Sequence, residues 1–385
     1  MRQLLCLGML IAHQVTLAQT PIQVADSLIN VGNYTAALHI YNEQSPTARK
    51  YSRLGNIYEA LGNHQKAKVN YKKAIRIDTS FLIAAVRYAK LLYKTKNFQE
   101  SDSVFKQLSH RFPNNPDFYF QRAKALIKQQ DTLAYPLLNT VVLLDGNHQE
   151  ALYELAKYNL SKRRFKATNA LALQALKTYP SNPKTVGVLA QSKFMQKQYK
   201  EAIAHYQHLI KLNYGSEYVY TNLANAYFNV SEYKYAIENY KKAQEINQHD
   251  PMLYYQLGMC YFQQGNYNSA VKYYHFALLL EEKSLKEYYR QLGFSYKKLE
   301  NYKEAITYLK QAVAEDAFDY RAKYELAVVA DNYYKDKTIA ITYYESFLKT
   351  FKAYPAAAVY YKLAAQRLRH LYKEIHLENK SPSPK

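Results

Sequence analysis

The sequence predicts an all-α chain built as a solenoid of repeated helix pairs, and three observations carry that reading. Glycine (10) and proline (11) are sparse in 385 residues, and Ala, Leu, Lys and Glu fill much of the remainder beside 42 tyrosines; such a composition has many helix formers and few breakers. Ala202, Ala236, Ala270 and Ala305 lie 34, 34 and 35 residues apart, with Leu223, Leu257 and Leu292, and Tyr227, Tyr261 and Tyr296, in step. A fixed period of this length is the mark of a repeat array. Within each period two stretches with apolar residues three and four apart flank a polar break such as LGNH, QGNY or LENY. That is a helix, a turn and a second helix.

Taken in order, residues 1–18 read as a secretory signal peptide. Arg2 precedes an apolar run from Leu4 to Ala12, and the small-residue site TLA ends at Ala18. The run is too short for a permanent span, which needs roughly 20 residues. Cys6 has Gln3 where a lipobox would need an aliphatic residue, so lipid attachment is not expected there. Residues 19–47 form a degenerate first unit, with VGNYTAALHIYNEQ as its second helix. Residues 48–352 are the main array, with units starting near 82, 116, 149, 183, 217, 251, 286 and 320. The units at 116 and 320 fit less well, the first a residue short and the second with one extra near DKTIA. Residues 353–377 supply a capping helix. The last residues, 378–385, are rich in Pro, Ser and Lys and read as a disordered tail.

The segment YSRLGNIYEALGNHQKAKVNYKKAIRID shows the unit most clearly. Its Tyr51, Leu54, Gly55, Tyr58, Ala67, Tyr71 and Ala74 stand at positions 4, 7, 8, 11, 20, 24 and 27, and in this pattern the chain resembles the tetratricopeptide repeat family. Pro113 and Pro180 fall at the position-32 turn, and Tyr takes the place of the family's usual Trp at position 4. The resemblance implies a right-handed superhelical solenoid whose first helices line a concave face, and an activity of holding other proteins rather than catalysis. The physics agrees: small residues at 8, 20 and 27 let helices approach, and large aromatics at 4, 11 and 24 fill the gaps between units. One hairpin cannot bury that stripe alone, whereas stacked neighbours can. The tyrosines at those positions are therefore core.

In the family, the positions free to bind a partner are 2, 5, 6, 9, 12 and 13 of the first helix. Along this chain they run from a basic wall that includes Lys90, Lys124 and Lys157 to a nearly uncharged stretch. There Gln191, Phe194, Tyr218, Asn222, Asn225, Phe228, Asn229, Tyr255, Met259 and Phe262 supply aromatics, thioether and amides. Charge returns at Arg290 and Lys297. Aromatics and Met cover apolar side chains adaptably, and amides can pair with both groups of a peptide backbone. This surface suits an extended peptide. The chaperone-binding carboxylate clamp of the family is not expected, because Thr221, Glu287 and Gln291 stand where its cations belong.

No phosphate loop, H-E-x-x-H, cysteine pair or G-x-S-x-G is present. No catalytic residue, metal or cofactor is expected. His205 and His208 lie three apart without a third ligand nearby in sequence, and Cys260 sits among core residues and reads as an inert thiol. The formal net charge is +21, of which only Arg2 falls in the leader. Such a balance suits acidic partners. The leader and the lack of a regular polar code in each unit argue against nucleic acid. The expectation is a non-enzymatic adaptor of the cell envelope, exported and periplasmic, with a protein or peptide in its groove. The alternative is binding of an anionic glycan or envelope membrane surface by the basic face.

Overall fold

The computed structural model describes residues 20–378, so the leader and the C-terminal tail lie outside the described residues. Among the described residues there are 21 α-helices, one short 3-10 turn and no strand. The chain divides between Leu155 and Ala156 into two compact units. The first contains α1 (Pro21–Asn30), α2 (Tyr34–Glu43), α3 (Ala48–Ala60), α4 (His64–Ile77), α5 (Leu82–Lys94), α6 (Phe98–Arg111), α7 (Pro116–Lys128) and α8 (Ala134–Leu144). Helix α9 (Gln149–Ser161) spans the division. The second unit continues with α10 (Phe165–Thr178), α11 (Pro183–Met195), α12 (Tyr199–Lys211), α13 (Glu217–Asn229), α14 (Tyr233–Ile246), α15 (Pro251–Gln263) and α16 (Tyr267–Leu280). It closes with α17 (Lys286–Lys298), α18 (Tyr302–Glu315), α19 (Tyr320–Tyr333), α20 (Lys337–Phe351) and α21 (Ala358–Glu378).

Ten helix pairs and a final helix result, as the period predicts. Within each unit every helix packs on the next in sequence. In the second unit α17 also touches α19, and α19 touches α21, across the intervening second helices. In that unit α17, α19 and α21 therefore share one side of the stack. The helix starts are written locally. Asn63, Asn182, Ser216, Asn266 and Asn301 each accept a backbone N–H of the first turn, and Pro21, Pro116, Pro183 and Pro251 take the first helical position.

The core confirms the small-against-large code at position 24, whereas the tyrosines at positions 4 and 11, such as Tyr51, Tyr58, Tyr254 and Tyr261, are only half-buried. A β-carbon placed on Gly55 would lie 2.6 Å from the Tyr71 ring, one on Gly258 2.6 Å from Tyr274, and one on Gly293 2.6 Å from Leu309. Only hydrogen fits beneath those side chains. Tyr41, Tyr71, Tyr206, Tyr240 and Tyr274 are fully buried. Cys260 is buried and unpaired, and burial pushes its thiol up to about 12, so it stays protonated at neutral pH.

The turn inside nine of the ten pairs recurs in one conformation. Gly32, Gly62, Lys96, Gln130, Arg163, Lys197, Ser231, Gly265 and Glu300 all have positive φ and follow the ends of their first helices. This left-handed residue ends the helix and turns the chain. The two poorly fitting units have visible causes. Helix α8 is short and begins after Leu133 in helical conformation without a side-chain cap. Helix α19 runs on to Tyr333 and exits through extended Tyr334, with no left-handed residue.

Candidate functional site

The nearly uncharged stretch lies on α11, α13 and α15, all in the second unit. Three of its aromatics form one repeated structure. Phe194 meets Tyr199 edge to face at 5.4 Å, Phe228 meets Tyr233 at 5.5 Å, and Phe262 meets Tyr267 at 5.3 Å, with interplanar angles of 68°, 64° and 65°. Tyr93 and Phe98 repeat the pair in the first unit. In each case the last turn of the first helix is clipped to the first residue of the second. The Phe rings are thus fixed rungs, one per repeat, and such edge-to-face pairs contribute about 0.5–1.5 kcal/mol beyond burial. The partners Tyr199, Tyr233 and Tyr267 escaped the sequence reading, although their 34-residue spacing was there to be found.

The amides are less free than the sequence implies. Asn222 Nδ2 donates to the Tyr218 carbonyl and Asn229 Nδ2 to the Asn225 carbonyl, both at 2.8 Å within α13. Asn225 Oδ1 accepts the hydroxyl of buried Tyr240 at 2.6 Å. Asn225 is therefore a support for the core as well as a wall residue, a correction to its reading as an uncommitted amide. Tyr218 remains open, 51% exposed, and Met252, at the same place in the next repeat, is 49% exposed. Gln191 and Phe228 are half-buried, and Asn229 is exposed.

Tyr255, Met259 and Phe262 pack over the cluster built on Ala270, Tyr274 and Leu292. Tyr255 is tied more firmly than a free contact residue. Its ring touches Tyr274 and Tyr288, and its hydroxyl donates to Glu287 at 3.2 Å. Burial, reinforced by Glu287, holds the phenol well above its ordinary value, so it stays a neutral donor.

The basic flank divides. Arg290 donates to Asp319 at 2.6 Å and to Glu287, and Lys297 pairs with Glu325. These cations are matched by acids of their own and neighbouring repeats, which corrects their reading as open positive charge. Lys124 lies 5.2 Å from the ring centre of Tyr93 and 5.6 Å from that of Phe120, a cation–π position. Lys90 and Lys157 are exposed.

The first unit holds a positive hollow that the sequence reading passed over. Arg49, Arg53 and Arg87, with Ser52, Phe81 and Ile83, line a cleft of about 460 Å³. Asp26 binds Arg49 at 3.2 Å and Arg53 at 3.0 Å, so one carboxylate faces two guanidinium groups. The signal was arginine at repeat positions 2 and 6. Among the described residues no three His, Cys, Asp or Glu gather as a metal site, and no helix is long and apolar enough to cross a membrane. His205 is half-buried, and burial, helped by Lys193, lowers its pKa.

Family models for the tetratricopeptide repeat match residues 48–81, 217–250 and 250–314. No curated protein sequence matches the chain. Among solved structures, the C-terminal part of a tetratricopeptide repeat-containing protein from Cytophaga hutchinsonii aligns with TM-score 0.53 at 18% identity, over 63% of this chain and 99% of that one. A tetratricopeptide repeat protein from Parabacteroides merdae gives 0.46 at 16% identity, over 64% and 98%. The Cut9–Hcn1 hetero-tetramer of APC/C gives 0.42 at 18% identity, over 89% and 83%. At these identities the likeness is one of fold alone.

Proposed function

Because the chain belongs to the tetratricopeptide repeat family, whose repeats generally serve as protein-interaction scaffolds, we propose that it is a non-enzymatic adaptor holding an extended peptide or protein partner against α11, α13 and α15. One observation carries this reading: the fixed Phe194, Phe228 and Phe262 rungs stand at the same place in three consecutive repeats, and exposed Tyr218 and Met252 stand in the first turns of the helices that carry two of them. Rings already held in place lose little entropy when a partner covers them. An extended chain with apolar side chains at intervals would meet one rung per repeat. Asn222 and Asn229 each donate within their own helix, which leaves their carbonyl oxygens to accept backbone N–H groups.

The Arg49, Arg53 and Arg87 hollow, with Lys90, would draw acidic segments to the first unit. The same cations favour a second reading, attraction to an anionic envelope surface. The leader at residues 1–18 is the reason for placing the protein outside the cytoplasm, in the periplasm or envelope. Salt separates the two readings. Partner binding that persists in high salt and weakens with Tyr218→Ala supports the rungs; binding that vanishes at moderate salt and ignores Tyr218 supports the surface-charge reading.

A further inference from the structure

Repeat position 4 carries Tyr51, Tyr119, Tyr220, Tyr254 and Tyr289 in five repeats and Leu152, Val186 and Lys323 in three others, but in the repeat that begins at Leu82 it carries Ala85, the smallest side chain at that place. Elsewhere that ring is well occupied. Lys73 Nζ lies 5.4 Å from the ring centre of Tyr51, Lys242 Nζ lies 5.6 Å from that of Tyr220, and Phe276 is 5.8 Å from Tyr254. With Ala85 the ring is missing, and a hollow of about 340 Å³ opens between α4, α5 and α6.

Its walls have two characters. Ile75, Ala85, Tyr88, Val104 and Leu108 give an apolar floor, and Lys72, Arg76 and Arg111 stand at the lining with Gln107 and Thr79. None of the lining residues is acidic. Two carboxylates act on these cations from a distance without forming an ion pair: Asp78, which accepts from Ser80, attracts Arg111, and Glu100, which accepts from the Tyr88 hydroxyl, attracts Lys72. Arg111 donates to the Thr79 carbonyl at 3.2 Å, and Lys72 lies 5.5 Å from the Tyr88 ring centre. Neither arrangement neutralises its charge.

We infer that this hollow is a binding site for a small amphiphilic anion, with a ring-sized apolar body on the floor and one phosphate or carboxylate head among Lys72, Arg76 and Arg111. Burial of the body supplies affinity, and the guanidinium groups fix the head by charge-assisted hydrogen bonds. The site is independent of the rungs on α11, α13 and α15.

Titration of the full chain with phenylphosphate and with phenylacetate, followed by methyl NMR shifts at Ile75, Val104 and Leu108, tests it. At least one probe should bind saturably, and inorganic phosphate and phenol should each bind at least about tenfold more weakly because they satisfy only half of the site. Ala85→Tyr introduces the ring that five other repeats carry and should abolish binding while leaving the melting temperature unchanged or raised. Arg76→Gln, which leaves the floor intact, should weaken binding without changing the fold. Equal binding of inorganic phosphate, undiminished binding to Ala85→Tyr, or no saturable shift with either probe overturns the assignment.

Discussion

The hydroxyl of buried Tyr240 donates to the side-chain carbonyl of Asn225 at 2.6 Å, whereas one repeat further on, where Met259 stands in the place of Asn225, the buried Tyr274 hydroxyl has no partner among the described residues. The same core position is thus satisfied at Tyr41, Tyr71 and Tyr240 and unsatisfied at Tyr206 and Tyr274. Removing the Tyr240 and Tyr274 hydroxyls should have opposite consequences. Tyr240→Phe should destabilise by about 1 kcal/mol, because a made bond is lost and Asn225 is left without its donor. Tyr274→Phe should be neutral or stabilising, because it removes an unpaired buried polar group. Urea unfolding of the two variants beside the parent chain measures the contrast, and an equal loss in both would contradict the assignment.

The left-handed turn residues make a second prediction. A residue with a β-carbon in this conformation carries a cost of roughly 1–2 kcal/mol that glycine escapes, less what glycine loses through unfolded-state entropy. Lys197, Ser231 and Glu300 hold the place that Gly62 and Gly265 hold elsewhere. Each change to Gly should therefore raise stability by up to about 1 kcal/mol, seen as an increase in Tm. Gly265→Ala should lower it by a similar amount. Its absent β-carbon would meet nothing within 4 Å, so that loss is a backbone effect alone.

The last helix is fastened by charge. Asp331, 8% exposed, accepts Arg367 Nε at 2.6 Å and Nη2 at 3.1 Å, and Lys337 at 3.2 Å. Burial works against the carboxylate, but the hydrogen bonds from Arg367 and Lys337 outweigh it and hold its pKa below the ordinary value. A depressed folded pKa gives stability that is complete above the unfolded value, near about 4, and is lost as pH falls through the folded value. Protection of the α21 amides, taken relative to their intrinsic exchange rate at each pH, should therefore be high at neutral pH and fall only below about pH 4. Asp331→Asn should produce fast exchange in α21 already at neutral pH.

Much of the fold is legible in the sequence because its determinants repeat. The alanines at 202, 236, 270 and 305 and the glycines beneath Tyr71, Tyr274 and Leu309 each mark a contact that the next period restates. The turns are only partly legible, since Gly62 announces a left-handed residue but Glu300 does not. The groove is harder still. Its residue types can be read from repeat positions, but whether a side chain is committed depends on one partner in another helix. Asn225 looked uncommitted because Tyr240 lies fifteen residues away, and Arg290 and Lys297 looked like open charge because Asp319 and Glu325 belong to the next repeat. Ala85 was visible as a departure from the tyrosine at position 4, but only the open space between α4 and α6 gives that departure a meaning.

The reading of the Phe rungs makes a demand on Tyr218 and Phe228 that packing alone does not. Tyr218→Ala should weaken partner binding by about 1–2 kcal/mol with little change in Tm, since Tyr218 is half open to solvent. Tyr233→Ala, which removes the ring that holds Phe228, should weaken binding without touching the partner-facing side chain.

The central claim, that a partner lies against α13 and α15, is tested most directly by site-specific photo-crosslinking in the cell of origin. A photoreactive residue placed at Tyr218 or Met252 is compared with one at Glu238, which is exposed on the second helix α14. The account predicts the same discrete protein adduct from Tyr218 and Met252, retained in high salt, and none from Glu238. Adducts from Glu238 with none from the other two positions would contradict it.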